Sequence, residues 1–220
     1  MDDNMKSFPL RMVRMSIGIF LFSLGIILTI KANIGYAPWE VFHVGLSITT
    51  GLSLGLISII VGLLLLIIVI ACGEKFGLGT ILNMVFIGIL IDIKMALDFI
   101  PLMDNLISGI IMLIAGLFSI SLGSYFYIGT GFGAGPRDNL MVVLARKTRL
   151  PAGVCRSAVE LIVTVSGWFL GGMVGIGTII SVVGIGFCIQ ITFKLLRFDV
   201  TAVKHETLLE TYKTLFRKNT

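Results

Sequence analysis

Long apolar runs without a single charge alternate along this chain with short stretches of glycine, proline and polar residues. The uncharged runs cover residues 15–30, 52–73, 106–132 and 161–193. A helix that crosses the hydrocarbon core of a bilayer needs about 20 predominantly apolar residues, and the last run is long enough for two such helices. The pattern therefore predicts an all-α integral membrane protein with several spanning helices.

Composition and charge agree with lipid as the solvent. Of the 220 residues, 56% are hydrophobic and 13% are charged, and the mean hydropathy is +1.05, whereas a soluble domain is about a quarter charged. The net charge of +5 fits positive-inside anchoring, so we expect the lipid bilayer as a partner and no nucleic acid. The three cysteines lie far apart in or beside apolar segments, which favours neither a disulfide nor a metal site.

The chain repeats itself at an offset of 98 residues. Residues 16–93 align without a gap with residues 114–191, and 25 of the 78 positions are identical. Eight of the identities are glycines, a residue kept where backbones approach closely or φ is positive. The stretch "GLGTI" from Gly77 matches "GIGTI" from Gly175. These matches predict an internal duplication of one membrane unit.

Each half is predicted to contain three long helices and one short helix. In the first half we expect the long helices at 12–31, 53–73 and 78–98, and in the second at 106–129, 152–171 and 176–197. The short helices, at 38–50 and 136–147, each follow a glycine-rich bend. The predicted organisation is a cytoplasmic N-terminus (1–11), a first membrane repeat (12–98), a loop (99–105), a second repeat (106–197) and a polar cytoplasmic tail with amphipathic spacing (198–220).

The short helices decide the topology. Thirteen helical residues span about 20 Å, less than the roughly 30 Å of the hydrocarbon core, so we interpret both as re-entrant. Each half then crosses the membrane three times, which gives an inverted repeat with six crossings. If the short helices cross, each half has four crossings and the repeat is parallel. Charge placement favours the inverted form, with both termini in the cytoplasm of a bacterial cell and the acidic loop outside the plasma membrane.

Both bends end in a proline that an acid follows two residues later, in "GYAPWE" and "GAGPRD". Proline suits the first position of a helix because its missing N–H is not needed there, and an acid in the first turn stabilises the helix dipole. A purely structural interpretation is therefore available, in which the bends serve close packing and the prolines begin the helices. The residues concerned are Gly35, Pro38, Gly133, Gly135 and Pro136.

A functional interpretation places a site at the same bends. Transporters built from inverted repeats bind solutes where broken helices meet between the repeats. Glu40 and Asp138 would then bind a cation or proton, or orient a polar solute, while Trp39, His43, Arg137 and Asn139 beside them differ between the halves. Such asymmetry is what recognition of an asymmetric solute requires.

Two further charged residues lie within a predicted membrane helix. Arg156 and Glu160 are four residues apart, so they share a helix face and are placed to pair. An acid at membrane depth indicates function, although a paired one also serves to hold helices together. Both interpretations stay open, and both residues join the candidate site.

The chain resembles the YczE/YyaS/YitT family of bacterial inner-membrane proteins. The resemblance rests on "LTIKANIGYAPWEVFHVGLSITTGLSLGLISIIVG" (28–62) and on its echo "GFGAGPRDNLMVVLARKTRLPAGVCRSAVEL" (131–161), and it covers residues 12–197. The first bend, "NIGYAP", has one glycine fewer than the family pattern. The resemblance implies a multi-pass plasma-membrane protein, and an association of some members with secondary-metabolite production suggests an accessory or export role.

The leading hypothesis is a small secondary transporter or permease with its site at the repeat interface. The alternative is a non-transporting membrane scaffold or accessory protein that supports a biosynthetic or assembly process. No phosphate-binding loop, HExxH or paired CxxC motif occurs, so we expect neither an enzyme nor a cofactor. Six crossings leave little protein to enclose a pathway, which favours a homodimer.

Overall fold

The computed structural model describes residues 8–150, 152–199, 203 and 206–211. In these ranges the protein is built of α-helices and contains no strand, as predicted. The helices are α1 (Phe8–Lys31), α2 (Pro38–Thr50), α3 (Leu54–Ala71), α4 (Leu78–Leu97), α5 (Leu106–Ile128), α6 (Pro136–Thr148), α7 (Ala152–Phe169) and α8 (Ile176–Leu195). Most of the predicted N-terminal and C-terminal cytoplasmic segments lies outside the described residues.

Five of these helices are long and apolar enough to cross a membrane, judged over the described residues. They are α1, α3, α4, α5 and α8, and their outward-facing side chains are large and apolar, as contact with lipid requires. We predicted six crossings, and α7 is not among the five. Its crossing stays a prediction.

Helix α1 begins four residues earlier than the sequence pattern predicted. The ring of Phe8 packs edge-on against Phe132, with 5.5 Å between the ring centroids, so the added turn is held by a tertiary contact. Arg11 also ties this end of α1 to other segments: its Nε donates to the carbonyl of Thr130 at 2.8 Å, and its Nη1 lies 2.7 Å from the carboxylate of Glu206. This end of α1 is therefore fixed to the end of α5 and to the C-terminal segment.

Helices α1 and α5 cross in antiparallel orientation at very short range. A Cβ atom on Gly18 would lie 2.9 Å from the carbonyl oxygen of Gly123, and one on Gly25 would lie 2.6 Å from that of Gly116. Because the partner number falls as the α1 number rises, the two helices run in opposite directions. Glycine at these positions lets the backbones touch, which makes this pair the centre of the fold.

Helix α3 packs closely on α4. A Cβ on Gly55 would overlap the carbonyl oxygen of Gly88, at 2.0 Å. The carboxylate of Asp92 accepts hydrogen bonds from the N–H of Gly55 (2.7 Å) and the hydroxyl of Ser53 (2.5 Å), so one acid caps α3 and fastens it to α4.

Helices α7 and α8 follow each other along the chain as α3 and α4 do, but they scarcely touch. A Cβ on Gly186 in α8 would meet nothing within 4 Å. Helix α7 packs instead on α2, where a Cβ on Gly167 would lie 2.5 Å from the Cα of Phe42. The bundle is therefore closed between α3 and α4 and separated between α7 and α8.

Candidate functional site

Each glycine-rich bend is clasped by the first turn of a distant helix. In the first clasp, the N–H of Gly177 in α8 donates to the carbonyl of Ile34 at 2.7 Å. In the second, the N–H of Gly79 in α4 donates to the carbonyl of Phe132 at 2.8 Å. Each bend therefore contacts the "G-x-G-T-I" stretch of the other half of the chain.

The clasps require glycine for two physical reasons. Gly35 has φ +111° and Gly133 has φ +112°, a region that residues with a Cβ rarely adopt. A Cβ on Gly35 would also lie 2.6 Å from the backbone nitrogen of Gly175, and one on Gly133 would lie 3.0 Å from the Cα of Gly77. Positive φ and close approach thus coincide in both bends.

Past the bends, α2 begins at Pro38 and α6 at Pro136, and their first turns meet through Arg137. Its Nη1 lies 3.7 Å from Oε1 of Glu40, and its guanidinium carbon lies 4.7 Å above the ring of Trp39. Its Nη2 lies 3.4 Å from Nδ1 of His43. Glu40 and His43 are only 5% and 3% exposed, so Arg137 is the group through which the cavity reaches them.

Asp138 lies beside this cluster with a different partner. Its Oδ2 accepts a hydrogen bond of 2.8 Å from the hydroxyl of Tyr127 in α5. Asn139, which we predicted in the same site, instead donates from Nδ2 to the carbonyl of Ala134 at 3.3 Å. Its amide therefore supports the second bend and does not line the cavity.

The two charged residues of α7 pair as their spacing predicts. Arg156 Nε lies 2.8 Å from Oε1 of Glu160, and Glu160 is 9% exposed. Both side chains line the same cavity as Arg137 and Asp138. The structure thus brings together the charged residues of the candidate site from α2, α6 and α7.

The cavity has a volume of about 300 Å³ and is bounded by all eight helices. One part of its wall is apolar and includes Phe22, Ile87, Ile120 and Phe193. The other part is polar and is formed by Ser58, Asn83, Tyr127, Arg137, Asp138 and Arg156. Ligand sites are typically this size and combine apolar walls with a few placed polar groups.

Sequence reasoning did not place Tyr127 or Asn83 in the candidate site. Tyr127 lies in an uncharged run that looks like lipid-facing helix. The available signal was the self-alignment, in which Tyr127 matches Thr29 as Asp138 matches Glu40, so the second half has a phenol where the first half has a short hydroxyl. A phenol at membrane depth needs a hydrogen-bond partner, and Asp138 supplies it.

The chain is similar to several proteins of bacteria. The family model described as "Family of unknown function (DUF6198)" matches residues 9–194. The uncharacterized membrane protein YczE of Bacillus subtilis (strain 168) is 34% identical over 176 residues, which are 79% of this chain and 80% of YczE. An uncharacterized protein of Haemophilus influenzae is 32% identical over 180 residues, 80% of this chain and 82% of that protein.

The uncharacterized protein YyaS of Bacillus subtilis (strain 168) is 31% identical over 168 residues, 76% of this chain and 84% of YyaS. No solved structure matches the chain significantly. The resemblance to YczE and YyaS that the paired bends predicted is thereby confirmed.

Proposed function

The chain belongs to the DUF6198 family, and we propose that this integral membrane protein is a small secondary transporter whose solute site is the cavity between its two halves. The observation that carries the proposal is the contact between Arg137 and Glu40. It joins the first turns of α2 and α6 beside a cavity at the centre of the bundle. Broken helices whose N-termini face a central site are the usual construction of solute sites in such transporters.

The proposal includes an inverted repeat. Each of α1 to α4 begins 98 residues before its counterpart among α5 to α8. On α1, Gly18 contacts Gly123 and Gly25 contacts Gly116, so each glycine meets the repeat equivalent of the other. Such reciprocal contacts between antiparallel helices fit a twofold axis in the membrane plane. A parallel repeat would give parallel α1 and α5.

The walls of the cavity support the same axis. Six pairs of repeat-equivalent positions line it: Phe22 and Ile120, Ile26 and Ser124, Trp39 and Arg137, Ser58 and Arg156, Gly62 and Glu160, Ile87 and Ile185. The backbone positions are symmetric, but the charged side chains come from the second half. A symmetric frame with an asymmetric lining is suited to one asymmetric solute.

The two short helices complete the proposed topology. Each has 13 residues, about 20 Å of helix, which is too short to cross the hydrocarbon core. We therefore propose that α2 and α6 are re-entrant, that α7 is the sixth crossing and that both termini lie in the cytoplasm of a bacterial cell.

The difference between α3–α4 and α7–α8 supports alternating access. The pair α3–α4 is packed and the pair α7–α8 is separated within one molecule, and we propose that each pair adopts both arrangements in turn. Exchange of the two arrangements would close the cavity on one side and open it on the other. The proposed activity needs no enzymatic step and no cofactor, and a homodimer would supply further protein around the pathway.

A scaffold or accessory protein is the second candidate. Its support is that the pair of Arg156 and Glu160 lies within one helix and that Glu40 stands in the first turn of α2. These contacts also stabilise helices in a protein that moves no solute.

Thermal unfolding of the purified protein in a panel of small cationic, anionic and neutral solutes distinguishes the two candidates. A transporter with its site in the cavity is stabilised by at least one solute, and Glu40→Gln and Asp138→Asn abolish the shift. The matched control is Asp98→Asn, because Asp98 is an exposed carboxylate paired with Lys31 away from the cavity. If no solute shifts the unfolding midpoint, and Glu40→Gln and Asp138→Asn only lower that midpoint, the scaffold function is favoured.

A further inference from the structure

The ionised groups around the cavity do not balance. Arg137 is paired with Glu40, and Arg156 is paired with Glu160. Asp138 is exposed on the cavity wall, and its partner is the neutral hydroxyl of Tyr127. Among the described residues no cation is ion-paired with it, so the cavity wall and its buried neighbour Glu40 hold two guanidinium groups and three carboxyl groups, an excess of one negative charge when all five are ionised.

We propose that the cavity binds a monovalent organic cation, an ammonium group with an apolar body, whose charge lies at Asp138 and Tyr127. This inference rests on the proposed transport function and specifies its substrate class. In a bundle of apolar helices a charge is poorly screened, and a cleft with one sign of charge attracts the opposite sign. A single positive charge on the ligand neutralises the site.

The rest of the wall explains why the cation is organic. Beyond Asp138 the cavity is lined mainly by aliphatic and aromatic side chains, among them Phe22, Met84, Ile87 and Phe193. Aromatic faces attract ammonium groups and also pack against alkyl chains. A metal cation would need several oxygen or nitrogen ligands, and the described residues contain no group of three or more His, Cys, Asp or Glu side chains that could hold one.

The same pairs argue against an anion as the ligand. A carboxylate or phosphate would have to draw Arg137 from Glu40 or Arg156 from Glu160 and leave an acid unpaired. Either displacement would leave a nearly buried carboxylate, Glu40 or Glu160, without its cation, which is costly. The excess charge of Asp138 would then add repulsion.

Trp39 offers a direct readout, since it lines the cavity, whereas the other tryptophan, Trp168, is 59% exposed. In a Trp168→Phe protein, Trp39 fluorescence is titrated with choline, n-butylammonium and phenyltrimethylammonium. The neutral counterparts are 3,3-dimethylbutan-1-ol and pentan-1-ol, and butyrate is the anionic probe. We expect saturable quenching by at least one cation, with an affinity at least about tenfold above that of the neutral probes.

Asp138→Asn should lower the affinity for the cation about tenfold or more, and Tyr127→Phe should lower it less. Asp98→Asn, a charge change away from the cavity, should leave it unchanged. Unfolding midpoints without ligand show that each variant is folded, and Tyr127→Phe, which keeps the carboxylate, serves as the test if Asp138→Asn does not fold.

The inference is overturned if all three cations fail to bind or if Asp138→Asn binds them as well as the parent protein. Saturable binding of butyrate that requires Arg137 would also overturn it, yet the transporter proposal would stand. If no solute of any charge binds or stabilises the protein, the transporter proposal itself fails.

Discussion

The guanidinium of Arg137 lies 3.7 Å from the carboxylate of Glu40 and above the ring of Trp39, although the two charged residues start different helices in different halves of the chain. Glu40 is almost fully buried, while the Arg137 side chain is 27% exposed. The contact therefore joins a buried carboxylate of the first half to the charged side chains of the second half that line the cavity.

Loss of either charge of this pair should have unequal effects. Arg137→Gln leaves Glu40 as an unpaired buried acid and should cost about 3 kcal/mol, whereas Glu40→Gln leaves Arg137 with access to the cavity and should cost less. The double variant should be more stable than Arg137→Gln alone. Denaturant unfolding of the purified protein measures all three, and strictly additive losses would mean that the pair is not coupled.

The clasps should tolerate no side chain. Gly35→Ala and Gly133→Ala combine a strained φ with a tight approach to backbone atoms, so each should destabilise the protein by about 2 kcal/mol or more. Gly51→Ala is the matched control: its φ is +73°, but a Cβ there meets nothing within 4 Å. Gly51→Ala should therefore lower the free energy of unfolding only by the cost of the strained φ, about 1 kcal/mol. Equal losses at all three positions would contradict the clasp.

Gly186 should matter for movement and not for stability. A Cβ there meets nothing in this conformation, and alanine is a better helix former than glycine. Gly186→Ala should therefore unfold at the same or a higher temperature. Gly186→Leu should abolish transport, because its side chain would prevent α7 from packing on α8 as closely as α3 packs on α4 at Gly88. The control is Ile191→Leu, because Ile191 is exposed and its equivalent on the packed α4, Ile93, is exposed as well. Uptake of the cation identified by Trp39 fluorescence into proteoliposomes is the measurement, and normal uptake by Gly186→Leu would refute the exchange of packed and separated arrangements.

The inverted topology makes a simple labelling prediction. In a protein without its three native cysteines, single cysteines replace Gly51, Lys75, Leu102 and Arg149 and are exposed to an impermeant thiol reagent in intact cells. Positions 51 and 102 should react, and positions 75 and 149 should be protected. Reaction at 75 with protection of the other three would indicate parallel halves whose short helices cross.

The helices were predictable because two independent signals located them. Long uncharged runs gave approximate bounds for the long helices, and the self-alignment at an offset of 98 residues placed the same pattern in both halves. The pairing of Arg156 with Glu160 was predictable because residues four apart share a helix face. The extra turn at Phe8 was not, since its ring is held by Phe132, a contact that no local pattern encodes.

The remaining surprises have the same physical origin. Asn139 was expected among the site residues because it follows Asp138, but the bend offers its amide the carbonyl of Ala134. The separation of α7 from α8 could not be inferred, because the sequence repeat implies equal packing in both halves. Contacts between distant segments determine these features, and one sequence shows which residues match but not which ones touch.

The first clasp can close only late in the synthesis of the protein. The carbonyl of Ile34 is made early, but the N–H from which it accepts a hydrogen bond belongs to Gly177 in α8, the last of α1 to α8 to be synthesised. Until then the bend lacks this partner, and a backbone carbonyl without a partner is costly in a bilayer. We expect a chain truncated before residue 177 to be degraded faster than the full-length chain, because its bend stays open.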